Sequence, residues 1–203
     1  MIAIVDYGVG NLANVERALR RAGAADVRVT RDREEILSAG AIVLPGVGNF
    51  GHCARELRRF GLDETVGRAR ERGLPILGLC VGMQLFFEQS EEDPATPGLG
   101  FYRGRVRKLR GPVRVPHTGW NQLRLVRAHP WLADVPDAAY FYFVHSYAPE
   151  PIDERAIVAN VEHGGWVRAA VGGEGMLGVQ FHPEKSGAMG LRLLAGFVRA
   201  TAA

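Results

Sequence analysis

Three things are scarce in this chain of 203 residues: cysteine, lysine, and apolar runs long enough to cross a bilayer. Each scarcity excludes something. Two cysteines, with no Cys-x-x-Cys pair and no histidine-rich tract, supply neither a disulfide framework nor a zinc site, and they fit a reducing cytoplasm. The opening Met1-Ile2-Ala3-Ile4-Val5-Asp6 lacks the charged, apolar and cleavage regions of a signal peptide, so neither secretion nor a membrane is expected. Net charge is only +3 with both signs interspersed, and no recognition motif accompanies it, so nucleic acid is not an expected partner. The one basic run, from Arg103 to Arg110, alternates basic with small or apolar residues and reads as the solvated face of a strand. Lysine occurs only at Lys108 and Lys185, which makes Lys185 an unusual choice in a chain that otherwise uses arginine.

What is present is ordinary for a globular protein: 47% hydrophobic and 23% charged residues, enough for a single domain over 1–203. Residues 1–6 read as a buried strand, followed by Gly8-Val9-Gly10 and an amphipathic helix through Val15, Leu19 and Ala22 that stops at Gly23. Further strands are predicted at 26–30, 41–44 and 74–79. Helices are predicted at 32–37, capped by Asp32, from about 50 to 72, and at 81–88. Strands alternating with helices imply an α/β fold, a mostly parallel open sheet with helices on both faces. From 103 onward the pattern changes to short strands at 113–116, 122–126, 139–144, 157–161, 166–170 and 177–181, which predicts an antiparallel extension before a last helix at 188–200.

Two stretches imitate a dinucleotide fingerprint, Gly8-x-Gly10-x-x-Ala13 and Gly46-x-Gly48-x-x-Gly51. Asp6 and Tyr7 intrude before the first, and the second follows a proline in the wrong βαβ unit. No cofactor is expected, and a dinucleotide oxidoreductase stands as an alternative reading.

The chemistry concentrates elsewhere. An apolar run of strand length ends in Gly78-Leu79-Cys80-Val81-Gly82, the spacing of a nucleophile elbow with a thiol in place of a hydroxyl. Glycines flank a residue forced into a strained strand-to-helix turn, and the helix N-terminus favours thiolate over thiol. A buried structural cysteine between two packing glycines would read the same way on this pentapeptide alone. A nucleophile needs a base, and the base an orienter. Of the six histidines, His182 has that company in His182-Pro183-Glu184: proline forces an extended backbone, and side chains at i and i+2 then share a side. Cys53 follows His52 on a predicted helix, where adjacent side chains diverge by about 100°, so it reads as structural.

Gly-Leu-Cys80-Val-Gly-Met-Gln84 together with Gly-Val-Gln-Phe-His182-Pro-Glu184 resembles the class I (triad-type) glutamine amidotransferases, whose sheet is flavodoxin-like. The resemblance implies Cys80 as nucleophile, His182 as acid and base, and Glu184 as orienter. Pro45-Gly-Val-Gly-Asn-Phe50, Val115-Pro-His-Thr-Gly-Trp-Asn121, Tyr142-Phe-Val-His-Ser-Tyr147 and His182-Pro-Glu-Lys-Ser186 narrow the likeness to the glutaminases of that family that serve imidazole glycerol phosphate synthesis in histidine biosynthesis. An oxyanion hole is then expected from the Val81 N–H and the Val47–Gly48 segment, whose glycines leave a peptide free to flip. The likeness further implies that Gln84 and His145-Ser146-Tyr147 hold the amino-acid end of glutamine, and that no metal takes part. Released ammonia needs an acceptor, and the family implies a (β/α)8-barrel cyclase partner, with Asn11, Asn14, Trp120, Asn121 and Lys185 as candidate docking residues. The glutaminase of another ammonia-channelling synthase and a catalytically silent module of the same fold are the alternatives.

Overall fold

The computed structural model describes residues 1–173 and 175–201. Its centre is made of four-residue apolar strands, every residue of which is buried: β1 (Ile2–Val5), β3 (Ala41–Leu44), β4 (Ile76–Leu79) and β12 (Met176–Val179). With β2 (Val27–Thr30) they form a parallel half-sheet in the order β2-β1-β3-β4-β12. Burial on both faces is what a parallel sheet requires, and it explains why these strands are unbroken apolar runs. The sheet continues antiparallel through β11 (Trp166–Gly173), β10 (Ile157–Glu162), β7 (His117–Leu125) and β8 (Tyr140–His145). Alternation along each strand divides the core. Ile2 and Ile4 pack with Val15 and Leu19 of α1 (Leu12–Arg21) and Phe197 of α6 (Gly187–Ala200), whereas Ala3 and Val5 pack with Leu57 of α3 (Phe50–Arg59) and Val66 of α4 (Leu62–Glu71). This is the expected α/β fold with an antiparallel strand extension. No described helix is long and apolar enough to cross a membrane.

Several expected boundaries move. The helix predicted from 50 to 72 is two, because Gly61 takes a left-handed conformation (φ 63°) between α3 and α4. The helix predicted at 81–88 stops after one turn, α5 (Val81–Gln84), and Phe87 opens strand β5 (Phe87–Ser90). The carbonyls of Leu85 and Phe86, which would have continued the helix, accept instead from the N–H groups of Leu99 and Tyr102 at 2.7 and 2.9 Å. The short helix α2 (Arg33–Leu37) lies where the sequence placed it, with Asp32 accepting from Glu35 N at 2.8 Å. Residues 113–116 are not a strand, and β7 begins at His117. A small second sheet, β5-β6-β9, joins β6 (Tyr102–Lys108) to β9 (Tyr147–Pro151). The prolines in β9 hide it from pattern reading, yet they are admissible because β9 is an edge strand.

Candidate active site

Everything chemical sits where β4 and β12 end side by side. They pair in register, Gly78 opposite Gly178. A side chain on either glycine would collide with the elbow: a Cβ on Gly78 would come 2.6 Å from Phe86, and one on Gly178 would come 2.4 Å from Met83. The paired glycines therefore let α5 settle directly on the strand ends. Cys80 then turns with φ 53° and ψ −111°, a conformation rare for a residue with a side chain. Its N–H remains tied to Val179 O at 2.8 Å, so the strained residue is held by the sheet.

His182 lies three residues past β12, beside the sulfur. Its ring Nδ1 faces Glu184 Oε1 at 2.8 Å, and both side chains are about 95% buried. Burial pushes the imidazole down, but hydrogen bonds to Cys80 and Glu184 and the charges of both outweigh it and raise the ring to about 9. The imidazolium is thus the favoured form at neutral pH, placed between a thiol that can ionise and a fixed carboxylate. Glu184 Oε2 is buried without a hydrogen-bond partner, so the carboxylate is committed to the ring through one oxygen. Ser186 holds this loop in place: its hydroxyl donates to His182 O at 2.6 Å and accepts from Tyr142 N of β8 at 3.0 Å.

A thiol beside an imidazolium, itself oriented by a buried carboxylate, can attack an acyl carbon and then return the proton to the leaving group. The model of the family described as glutamine amidotransferase class-I matches residues 3–200. The chain belongs to the class I glutamine amidotransferases. Among relatives of this amidotransferase, imidazole glycerol phosphate synthase subunit HisH of Geobacillus thermodenitrificans is 44% identical, over 98% of this chain and 95% of the relative. The subunit of the same name from Geobacillus kaustophilus is 46% identical, over 98% and 96%. Among solved structures, one described as a glutamine amidotransferase has a TM-score of 0.79 at 20% identity and covers all of both chains. PurLQS from Thermotoga maritima has a TM-score of 0.74 at 18% identity, covering 98% of this chain and 96% of that one. At such identities these two likenesses speak for the fold.

In this amidotransferase a cavity of about 430 Å³ opens over the sulfur. Cys80 and His182 line it, as do the oxyanion candidates Val47, Gly48 and Val81, the substrate candidates Gln84, His145, Ser146 and Tyr147, and Lys185. Asn11, Asn14, Trp120 and Asn121 do not line it. Trp120 is 56% exposed on β7. Asn11 is exposed at the start of α1, its side chain making no cap bond. Asn14 accepts from Arg17, and the Asn121 amide donates inward, to Glu162 O at 2.9 Å and to His117 Nε2 at 3.1 Å. The His145 ring is buried and its nitrogens are engaged by protein atoms, His117 Nδ1 at 3.0 Å and Tyr147 O at 2.9 Å. Only its edge is left for a ligand.

The oxyanion segment is caught in one particular arrangement. The Val81 N–H, the donor expected from the elbow, points at Gly46 O at 3.3 Å. Tyr7, fully buried, donates its hydroxyl to Pro45 O, and the Cys53 thiol donates to Val47 O at 3.4 Å. Burial pushes the Cys53 thiol up to about 11, so it stays a neutral donor. Pattern reading gave no role to Tyr7 or Ser186, because their partners Pro45 O and Tyr142 N lie far away in sequence. Glu92, the one carboxylate among the described residues that line the cavity, also went unnoticed; it accepts from Phe50 N at 2.7 Å.

Proposed function

We propose that this chain is the glutaminase subunit of an imidazole glycerol phosphate synthase: it hydrolyses glutamine to glutamate and ammonia and delivers the ammonia to a cyclase subunit for histidine biosynthesis. The observation that carries the reading is the buried Cys80–His182–Glu184 array at the end of a glycine-lined elbow. The likeness to HisH chains over nearly the whole length supplies the pathway.

Glutamine enters with its side-chain carboxamide over the sulfur and its α-amino group toward Glu92 and the Ser146–Tyr147 backbone. The Cys80 thiolate attacks the amide carbon. The oxyanion needs two donors, and the resting arrangement offers neither freely: the Val81 N–H is engaged by Gly46 O, and in a trans peptide the Val47 N–H points opposite to that carbonyl. Turning the single Gly46–Val47 peptide releases the Val81 N–H and brings the Val47 N–H to the same spot. Gly46 can do this because it has no side chain; a Cβ there would sit 2.5 Å from Gly82 N. Tyr7 and Cys53 hold the carbonyls on either side, so the motion is confined to one peptide. His182 then protonates the departing ammonia, leaving a glutamyl thioester, and deprotonates the water that cleaves it. Tyr7→Phe is expected to lower kcat about tenfold with KM for glutamine little changed, since it frees a buried carbonyl beside the hole without touching the substrate. Steady-state kinetics check this.

Ammonia free in water is protonated and lost to chemistry, so the cavity must discharge into a partner. A (β/α)8-barrel cyclase is the proposed acceptor, with Lys185 at the cavity and Trp120, Asn11 and Asn14 outside it as the candidate docking residues. Glutamine hydrolysis by the purified chain, with and without the barrel cyclase and its ribonucleotide ligand, tests the reading. A low basal rate that rises strongly with both, and vanishes in Cys80→Ala, is expected. Full activity without a partner would overturn the gated hole, and no activity under any condition would overturn the function.

A further inference from the structure

Behind the sulfur lies a second polar chain that the reaction as described does not use. Gln180 follows β12 directly and has no exposed surface. Its backbone N–H is fixed by Ala169 O at 2.8 Å, and its carboxamide lies between Gln84 and Cys80. A carboxamide can face either way, so what matters is which end meets the sulfur. One backbone carbonyl, that of Tyr147, decides it.

Gln84 places one end of its amide 3.0 Å from Tyr147 O. A carbonyl oxygen only accepts, so that end is Nε2, a donor. The same Nε2 lies 3.0 Å from Gln180, and the atom it meets must be the acceptor, Oε1. Gln180 Nε2 is then the atom facing Cys80 Sγ, at 3.6 Å. The Tyr147 carbonyl is itself held. His145 Nδ1 reaches it at 2.9 Å and must carry a proton, which leaves His145 Nε2 to accept from His117 Nδ1 at 3.0 Å. His117 Nε2 then accepts from Asn121 Nδ2, whose other hydrogen goes to Glu162 O at 2.9 Å. Donors from His145 and Gln84 therefore converge on Tyr147 O, and the second amide hydrogen of Gln84 runs on to Gln180 and so toward the sulfur. The arrangement requires both rings to be neutral, and burial, the larger effect for each, pushes His145 down to about 3 and His117 to about 4. The His117 ring is further fixed by stacking between Phe143 and His163, with centroids 4.7 and 4.1 Å away.

We propose that Gln180 is a dedicated hydrogen-bond donor to the Cys80 thiolate, locked in that orientation by Gln84 and the Tyr147 carbonyl, which the His145–His117 pair helps to hold in place. A donor that cannot accept stabilises the sulfur anion and does nothing for a neutral thiol, so Gln180 adds to what His182 provides. It also ties the nucleophile to Gln84, and hence to the occupied state of the glutamine cavity. The proposal rests on Cys80 being the nucleophile of the function proposed above.

Alkylation by iodoacetamide tests it without needing the oxyanion hole or the partner: the thiolate sulfur displaces iodide, forming a carbon–sulfur bond. Mass mapping separates Cys80 from Cys53, which is buried and held as a thiol. The titratable groups around the sulfur are His182, Tyr7 and Cys53, with Glu92, His145, Tyr147 and Lys185 lining the same cavity, and all of them stay unchanged in the variants. Gln180→Met, of similar size, is expected to slow Cys80 alkylation at pH 7 about tenfold and to displace the rise of rate with pH upward by about one pH unit. Gln180→Glu, isosteric but presenting an acceptor, is expected to move the profile further the same way, which keeps the test open if one variant folds poorly. Wild-type rates and an unmoved profile in either folded variant would overturn the inference, and they would do so even if the wild-type complex hydrolyses glutamine normally. Conversely, slowed alkylation in the variants with no glutamine hydrolysis by the wild-type complex would uphold Gln180 as donor and overturn the proposed function.

Discussion

Gly82→Ala is expected to lower partner-stimulated glutamine hydrolysis by about 10²–10³ and the melting temperature by about 5–10 °C. A Cβ at position 82 would lie 1.9 Å from the Leu44 carbonyl oxygen and 3.2 Å from the Pro45 carbonyl carbon. Both are backbone atoms, at the end of β3 and the start of the oxyanion segment, so no side chain can swing away to make room. Either α5 lifts off the sheet or the Pro45–Gly48 segment shifts, and in both cases the Val81 N–H leaves the place where the oxyanion forms. Gly67→Ala is the matched control. Gly67 lies within α4 with nothing within 4 Å of its Cβ position, and alanine there should stabilise by about 0.5–1 kcal/mol through helix propensity while activity stays as in the wild type. Calorimetry and the coupled glutaminase assay on both variants decide the matter. Equal activity in the two would mean that the elbow and the oxyanion segment are not interlocked as described.

Glu184→Gln should cost more in turnover, about 10³-fold or more in kcat, with the fold intact. The side chains are isosteric and Glu184 Oε2 has no partner to lose. What changes is the ring. In the native chain burial lowers His182, and the Cys80 and Glu184 interactions raise it past its ordinary 6.5 to about 9. The imidazolium proposed to return a proton to ammonia is therefore present up to about pH 9, and kcat/KM should fall above it. Without the carboxylate burial gains ground, and that basic limb should move to lower pH. Stability carries the same signature. A group whose folded value is raised contributes stabilisation that is complete below 6.5 and is lost as pH rises through about 9. Urea midpoints measured from pH 6 to 10 should thus fall more steeply for the native chain than for Glu184→Gln. Parallel curves would show that Glu184 does not hold the charge on His182.

The parallel half of the fold was legible because both of its faces are buried, so its strands are plain apolar runs separated by glycine and helical patterns. The antiparallel extension was legible as a change of rhythm. Boundaries failed where tertiary contacts overrode local pattern: at Leu85 and Phe86, whose carbonyls are taken by Leu99 and Tyr102, and at β9, where two prolines survive only because the strand is an edge. The site divides along the same line. Cys80 with its glycines and His182 with Glu184 are each a local grammar, readable within five residues.

Sequence by itself determined the family and picked out the proposed reacting groups, because an elbow and a His-Pro-Glu tripeptide demand particular residues at fixed spacing. Only the tertiary structure decided what surrounds them. Tyr7 on Pro45 O, Cys53 on Val47 O, Ser186 on Tyr142 N and Gln180 on the sulfur are single hydrogen bonds, three of them between elements far apart in the chain. A side chain that acts on a distant backbone carbonyl leaves no periodicity and no spacing behind. Its partner is chosen by the packing of the sheet ends, and that packing exists only once the chain has folded.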